Sequence, residues 1–209
     1  MQQTPELWQA TYEAKTSQEL VEAYRQWACC YDRDTLDVMG YVGPKVAAAM
    51  LDNHLDSKQC KVLDAGCGTG LVGEALNCMG YENVDAMDFS ADMLNEAENK
   101  AVYSRCFRED MNGELSLPDD AYDATICVGT FTYAHVGPHA FDELLRVTKP
   151  GGHICFTIRD GAYQEYNYRD RMLALEADDA WQLQEMRQAD YLIKEKVKAM
   201  FCTYKVLSN

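Results

Sequence analysis

Three glycines at alternate positions, Gly66, Gly68 and Gly70 in VLDAGCGTG (62–70), follow a short apolar run and lead into LVGEAL, where a helix would begin. Lacking Cβ atoms, such a turn accepts positive φ and lets a ligand lie against bare backbone. A tight strand-to-helix turn with no ligand is the competing reading. Gly68, Gly70 and Gly73 also spell a dinucleotide fingerprint, so spelling alone does not choose the ligand. Charge decides more. Asp64 stands beside the turn, and a pyrophosphate there would meet a repulsion of about 4 kcal/mol for unit charges about 4 Å apart at an effective dielectric near 20. A cationic ligand portion is favoured, such as the sulfonium and ammonium of S-adenosylmethionine. Asp64 can also hold the turn by bonding its amides.

Asp88 ends the second strand-like run, NVDAMD (83–88), where a carboxylate can accept hydrogen bonds from both hydroxyls of a ribose. Its alternative is a helix cap, although Ser90 already supplies one. Asp110 and Met111 follow the third run, where a carboxylate can accept from an adenine amino group beside a soft apolar contact. A surface loop acid is the rival reading there.

These residues need a scaffold that brings several strand ends together. Strand-like KVLDA (61–65), helix 71–80, strand 83–88, a Ser90-capped helix and a strand near 104–109 alternate. Strand 122–128, a helix opened by Pro138 and stopped by PGG (150–152), and strand HICFTIR (153–159) continue the pattern. Alternation of this kind predicts an α/β, Rossmann-like, seven-stranded and mainly parallel sheet with helices on both faces. A helix near 166–178 then precedes two runs, about 181–190 and 198–206, expected to be an antiparallel strand pair at the C-terminal end. Upstream, 5–30 is loosely helical, YDRD (31–34) reads as a turn, and Pro44 starts a helix. Two parts are expected, a helical extension or lid over 1–43 and a single compact domain over 44–209.

VLDAGCGTG, VDAMDFSADML, EDMNGELSLPDDAYDATI and ELLRVTKPGG, in this order across 61 to about 158, resemble the motifs of class I S-adenosylmethionine-dependent methyltransferases. YRQWACCYDRD (24–34), GTGLVGEAL and VTKPGG resemble the methyltransferase-like group within that superfamily. The resemblance implies that Gly66, Gly68 and Gly70 meet the methionine end of S-adenosylmethionine and Asp88 its ribose. Phe89, Met93, Asp110 and Met111 would surround adenine, and Val128 and Gly129 would line the methionine moiety and methyl. Tyr24, Trp27 and Tyr31 would cover the cofactor, although aromatics at helical spacing also fit a core. VGTFTYAHVGP (128–138) lacks the Asn/Asp-Pro-Pro-aromatic tetrapeptide of enzymes that methylate amino groups of nucleic acids and of protein glutamine.

The expected activity is methyl transfer to a small or medium-sized molecule, leaving S-adenosylhomocysteine. A protein that binds the cofactor without transferring the methyl, or an NAD-dependent oxidoreductase, are the alternatives. Tyr133, His135 and Asp160 are candidate bases, needed only for an acceptor that arrives protonated, and Arg159 and Tyr163 are candidate substrate contacts. A formal charge of -15 disfavours non-specific nucleic-acid binding. The nine cysteines, odd in number and without C-x-x-C, predict free thiols in a reducing, cytoplasmic setting, with nuclear entry left open. Cys29 and Cys30 read as two buried small side chains before a strained redox couple. His135 and His139 lack a third metal ligand, so no metal is expected. No run is long and apolar enough for a membrane helix, and MQQTPELWQ has no leader-like pattern. Oligomeric state is not legible.

Overall fold

The computed structural model describes residues 6–132 and 136–208. Among them one seven-stranded sheet runs in the order β3-β2-β1-β4-β5-β7-β6. Its strands are β1 (Val62–Ala65), β2 (Val84–Asp88), β3 (Arg105–Arg108), β4 (Tyr122–Phe131), β5 (Thr148–Arg159), β6 (Trp181–Leu192) and β7 (Val197–Val206). The first five are parallel, and β7 enters antiparallel between β5 and the edge strand β6. The helices are α1 (Glu6–Glu13), α2 (Ser17–Trp27), α3 (Gly43–Asp52), α4 (Leu71–Cys78), α5 (Ala91–Asn99), α6 (Ala140–Val147), α7 (Ala162–Glu165) and α8 (Tyr168–Ala177).

Both faces of the sheet are covered, which is why β1 reads as continuous VLDA and not as an alternation. Leu63 and Ala65 pack into a core with Phe131, Phe141 and Phe156, whereas Val62 packs on the opposite face with Leu51, Val72 and Leu76. Phe141, Leu144 and Leu145 of α6 share the buried face that their spacing predicts. The chain leaves β1 toward β2 and β3 on one side, while β4 and β5 extend the sheet on the other. Such a reversal opens a crevice at the carboxyl ends of the strands.

Three local expectations are corrected. YDRD does not make a turn: a 3-10 turn (Ala28–Cys30) and a π-helix (Arg33–Met39) continue the helical path to Gly40, at φ 70. Asp34 is spent internally, accepting from the Trp27 indole N–H at 3.1 Å and from Arg33, and the Thr35 hydroxyl donates to the Tyr31 carbonyl at 2.8 Å. PGG is not a stop before β5, because β5 already begins at Thr148. Thr148 is extended, its hydroxyl donates to the Leu144 carbonyl (2.7 Å), and Gly152 passes so close to Asp123 that a Cβ would lie 2.6 Å from its carbonyl. The helix expected near 166–178 is α8, set off from the short α7 by Asn167, whose φ is 58. Cys29 is exposed and Cys30 half-buried, both as free thiols.

Candidate functional site

The end of β1 passes directly into the glycine turn. The Gly66 and Cys67 amides both donate to the Met87 carbonyl, at 2.8 and 3.0 Å, which carries the chain across the end of β2. Gly66, Gly68 and Gly70 all take positive φ, of 74, 53 and 94. Their surroundings differ. A Cβ on Gly66 would lie 2.3 Å from Thr130 Oγ1, and one on Gly70 would crowd Tyr103 and Ala97, whereas one on Gly68 would meet nothing within 4 Å.

Gly68 borders a cavity of about 280 Å³ at the strand ends. Asp88, Phe89 and Met93 line it from β2 and α5, Asp110 and Met111 from the segment after β3, and Val128 and Gly129 from β4. The N-terminal segment contributes Leu20, Tyr24 and Tyr31. The cavity thus gathers Gly66, Gly68, Asp88, Phe89, Met93, Asp110, Met111, Val128, Gly129, Tyr24 and Tyr31 from the sequence candidates, and leaves Asp64, Gly70 and Trp27 off its wall.

Asp88 is fixed by two backbone amides, Gly68 N–H to Oδ2 and Ser90 N–H to Oδ1, each at 2.9 Å. Ser90 caps α5 by accepting the Met93 N–H, so Asp88 serves as wall, and each of its carboxylate oxygens keeps a second lone pair. Burial pushes its carboxyl up to about 6, against the pull of those amides.

Asp64 is fully buried beneath the turn. Tyr103 donates to Oδ2 at 2.6 Å and receives the Gly73 N–H at 3.1 Å, while Oδ1 has no partner among the described residues. Burial lifts this carboxyl to about 7, with the Asp88 charge adding to the rise and the Tyr103 bond opposing it. Asp64 therefore ties the turn to Tyr103 and does not reach the cavity wall. Trp27, 2% exposed, gives its indole N–H to Asp34 and is core, whereas Tyr24 and Tyr31 are wall.

Tyr133 and His135 lie outside the described residues. Asp160 is exposed at the end of β5, where its amide bonds the Lys198 carbonyl at 3.1 Å, and it does not line the cavity. The Arg159 guanidinium sits over the rings of Trp8 (5.3 Å) and Tyr12 (4.6 Å), and Tyr163 packs on the main core.

Sequence reasoning missed Tyr103, and it missed Asp32, which accepts from the Thr69 hydroxyl and pairs with Lys100 at 2.6 Å. It also missed Tyr41 and Tyr191, whose hydroxyls meet at 2.8 Å beside Gly129. Nothing local marks any of these, since each partner comes from a distant stretch of chain. Among the described residues no group of three or more His, Cys, Asp and Glu is placed to hold a metal, and no helix is long and apolar enough to cross a membrane.

A family profile described as "Methyltransferase domain" matches residues 62–152. The chain is 34% identical over 139 residues to human methyltransferase-like protein 27, covering 65% of this chain and 56% of that protein. It is also 34% identical over 149 residues to the malonyl-[acyl-carrier protein] O-methyltransferase of Pectobacterium atrosepticum, covering 71% of this chain and 56% of that one. The chain thus spans a little over half the length of these two relatives. Magnesium protoporphyrin IX methyltransferase of Synechocystis, solved with bound S-adenosylmethionine, shares the fold at TM-score 0.65 and 15% identity, covering 95% of each chain. Residues 62–152 thus match the methyltransferase-domain family, and the fold is shared with S-adenosylmethionine-dependent methyltransferases of known structure.

Proposed function

We propose that this chain transfers the methyl group of S-adenosylmethionine to a small or medium-sized acceptor, with residues 1–43 acting as a lid. The observation that carries the reading is the enclosure of Asp88, the open Gly68 and the end of β4 in one cavity beneath N-terminal aromatics. The residues fit the cofactor of this family. Asp88 accepts from ribose with the lone pairs its amide bonds leave, Phe89, Met93 and Met111 give adenine an apolar slot, and Gly66 and Gly68 leave room for the methionine end at bare backbone. Asp110 is placed to accept from the adenine amino group. When bound, the cofactor supplies a sulfonium-activated methyl carbon, so the protein's share is orientation and water exclusion. Tyr24 and Tyr31 provide that exclusion from the N-terminal side.

The names of the malonyl-[acyl-carrier protein] and magnesium protoporphyrin IX enzymes support a metabolite-like acceptor. The nine free thiols support a reducing, cytoplasmic location. Calorimetric titration with S-adenosylmethionine, followed by transfer of a labelled methyl group to metabolite pools, tests the proposal. Binding without transfer to any pool would favour a non-catalytic cofactor-binding protein.

A further inference from the structure

Gly70 and Gly73 complete the spelling of a dinucleotide fingerprint, yet the group that fills their space belongs to the chain itself. A Cβ on Gly73 would lie 2.3 Å from Tyr103 Cζ, and one on Gly70 would lie 3.1 Å from Tyr103 Cε2. The two glycines are a seat for Tyr103. Its hydroxyl there accepts the Gly73 N–H at 3.1 Å, an amide in the first turn of α4 that the helix leaves without a carbonyl. The same hydroxyl donates to Asp64 Oδ2 at 2.6 Å.

Asp64 is fully buried two residues before the turn, and its Oδ1 has no hydrogen-bond partner among the described residues. The groups that face it are the Tyr103 phenol, the Gly73 amide, the Asp88 carboxylate at the end of β2, and the thiols of Cys67 in the turn, Cys106 on β3 and Cys127 on β4. None is a cation. Burial raises the phenol and the three thiols above their usual ranges, so they stay neutral at physiological pH. A buried anion with hydrogen-bond donors but no countercharge is costly, and the Asp64 carboxyl is accordingly pushed up to about 7. Above it, Gly66, Cys67 and Gly68 line the cavity. A cation resting on the turn would supply the missing countercharge across the backbone.

We propose that cofactor binding is proton-linked through Asp64, with Tyr103 as its positioning residue: the cationic methionine end settles on the turn and drives the Asp64 proton to solvent, while Tyr103 holds the resulting carboxylate in place. This rests on the methyltransferase reading above. The Asp64 O–H bond breaks, its electron pair stays on the carboxylate, and a buffer base takes up the proton. Two cations of the methionine end can do this, the sulfonium, which is lost on methyl transfer, and the ammonium, which the product keeps.

The test is calorimetric titration of the full chain at pH 7 in phosphate and in Tris. The ionisation enthalpies of these buffers differ, so the difference in apparent binding enthalpy counts the protons released. We expect S-adenosylmethionine to release about half a proton, the share that a carboxyl at about 7 still holds at this pH, with about a tenth more from Asp88. Equal release with S-adenosylhomocysteine assigns the effect to the ammonium, and release with S-adenosylmethionine alone assigns it to the sulfonium. In Asp64→Asn the release should fall to the Asp88 share. Tyr103→Phe keeps the ring in its seat and removes a donor to the Asp64 anion, so release at pH 7 should rise toward one proton while affinity falls by about threefold or more. A tyrosine that only packs would lower affinity without raising proton release. Heats independent of buffer in the parent, release unchanged in folded Asp64→Asn, or no rise in folded Tyr103→Phe would overturn the assignment. Failure of both ligands to bind would instead defeat the methyltransferase reading itself.

Discussion

Asp32 of the N-terminal segment accepts a hydrogen bond from Thr69 in the glycine turn, while its other oxygen pairs with Lys100 at 2.6 Å. Lys100 also reaches Glu74 at 2.6 Å, so one half-exposed carboxylate joins the N-terminal segment to α4 and to the end of α5. Contacts of this partly solvated kind are individually weak. That is what a cover needs if it must reopen for product exchange.

Replacing Asp32 with Ala should therefore loosen the N-terminal segment, the proposed lid, without unfolding the sheet. A loss of about 1 kcal/mol corresponds to amide exchange roughly fivefold faster over residues 6–42 of the free protein. Cofactor should restore most of the protection. Exchange mapped by mass spectrometry checks this, and equal protection in variant and parent would make the Asp32 contacts idle.

The glycines of the turn should separate by role. Gly66→Ala places a Cβ 2.3 Å from Thr130 Oγ1 at φ 74, so it should lower stability by about 1 to 3 kcal/mol. Gly68→Val meets no protein atom at its Cβ, so at the cost of left-handed strain it should fold and yet block the cavity. Thermal unfolding together with cofactor titration distinguishes the two. Normal cofactor affinity in folded Gly68→Val would remove the turn from the binding site.

The turn and Asp88 were legible because their signals are local: alternate glycines, a strand before them, a helix after them, and an acid at the next strand end. The parallel order of the strands followed from alternation with helices in the same way. What escaped is long-range. Tyr41 and Tyr191 stand 150 residues apart, and only the entry of β7 between β5 and β6 brings their segments together. Asp64 shows the other limit. Its position beside the turn was evident, but whether its carboxylate faced ligand or protein depended on Tyr103, which arrives from the segment before β3. YDRD misled because its aspartates, ordinary turn formers, spend their side chains on Trp27, Thr69 and Lys100.

Asp88→Ala should weaken S-adenosylmethionine binding by about tenfold or more, since charge-assisted hydrogen bonds are worth about 1.5 to 3 kcal/mol each. In the parent protein, affinity should fall as pH drops through about 6, where the buried Asp88 carboxyl takes up its proton, and should level off at higher pH. Asp88→Asn should bind weakly with a flatter profile. A pH-independent affinity in the parent between about 5 and 8 would place the ribose elsewhere.

Asp64 makes a separate prediction about stability. Its folded carboxyl titrates near 7, above the ordinary carboxylate range, so the folded state holds the extra proton in between. Stability from this group is present at low pH and is lost as pH rises toward and through about 7; Asp88 contributes with the same sign. Asp64→Asn keeps a partner for Tyr103 without the buried charge. At pH 8 it should stabilise the free protein by at least about 1 kcal/mol and flatten part of the pH slope. Denaturant unfolding at pH 5 and pH 8 checks this, and destabilisation at both would mean that the charged form is needed to hold the turn.

The central claim, a sulfonium cofactor held between the glycine turn and Asp88, is tested most directly by calorimetric titration of the full chain with S-adenosylmethionine, S-adenosylhomocysteine and NAD in parallel. We expect saturable one-to-one binding of the first two, none of the third, and loss of at least tenfold in affinity in Asp88→Ala. Binding of NAD, or heat from none of the three, would contradict it.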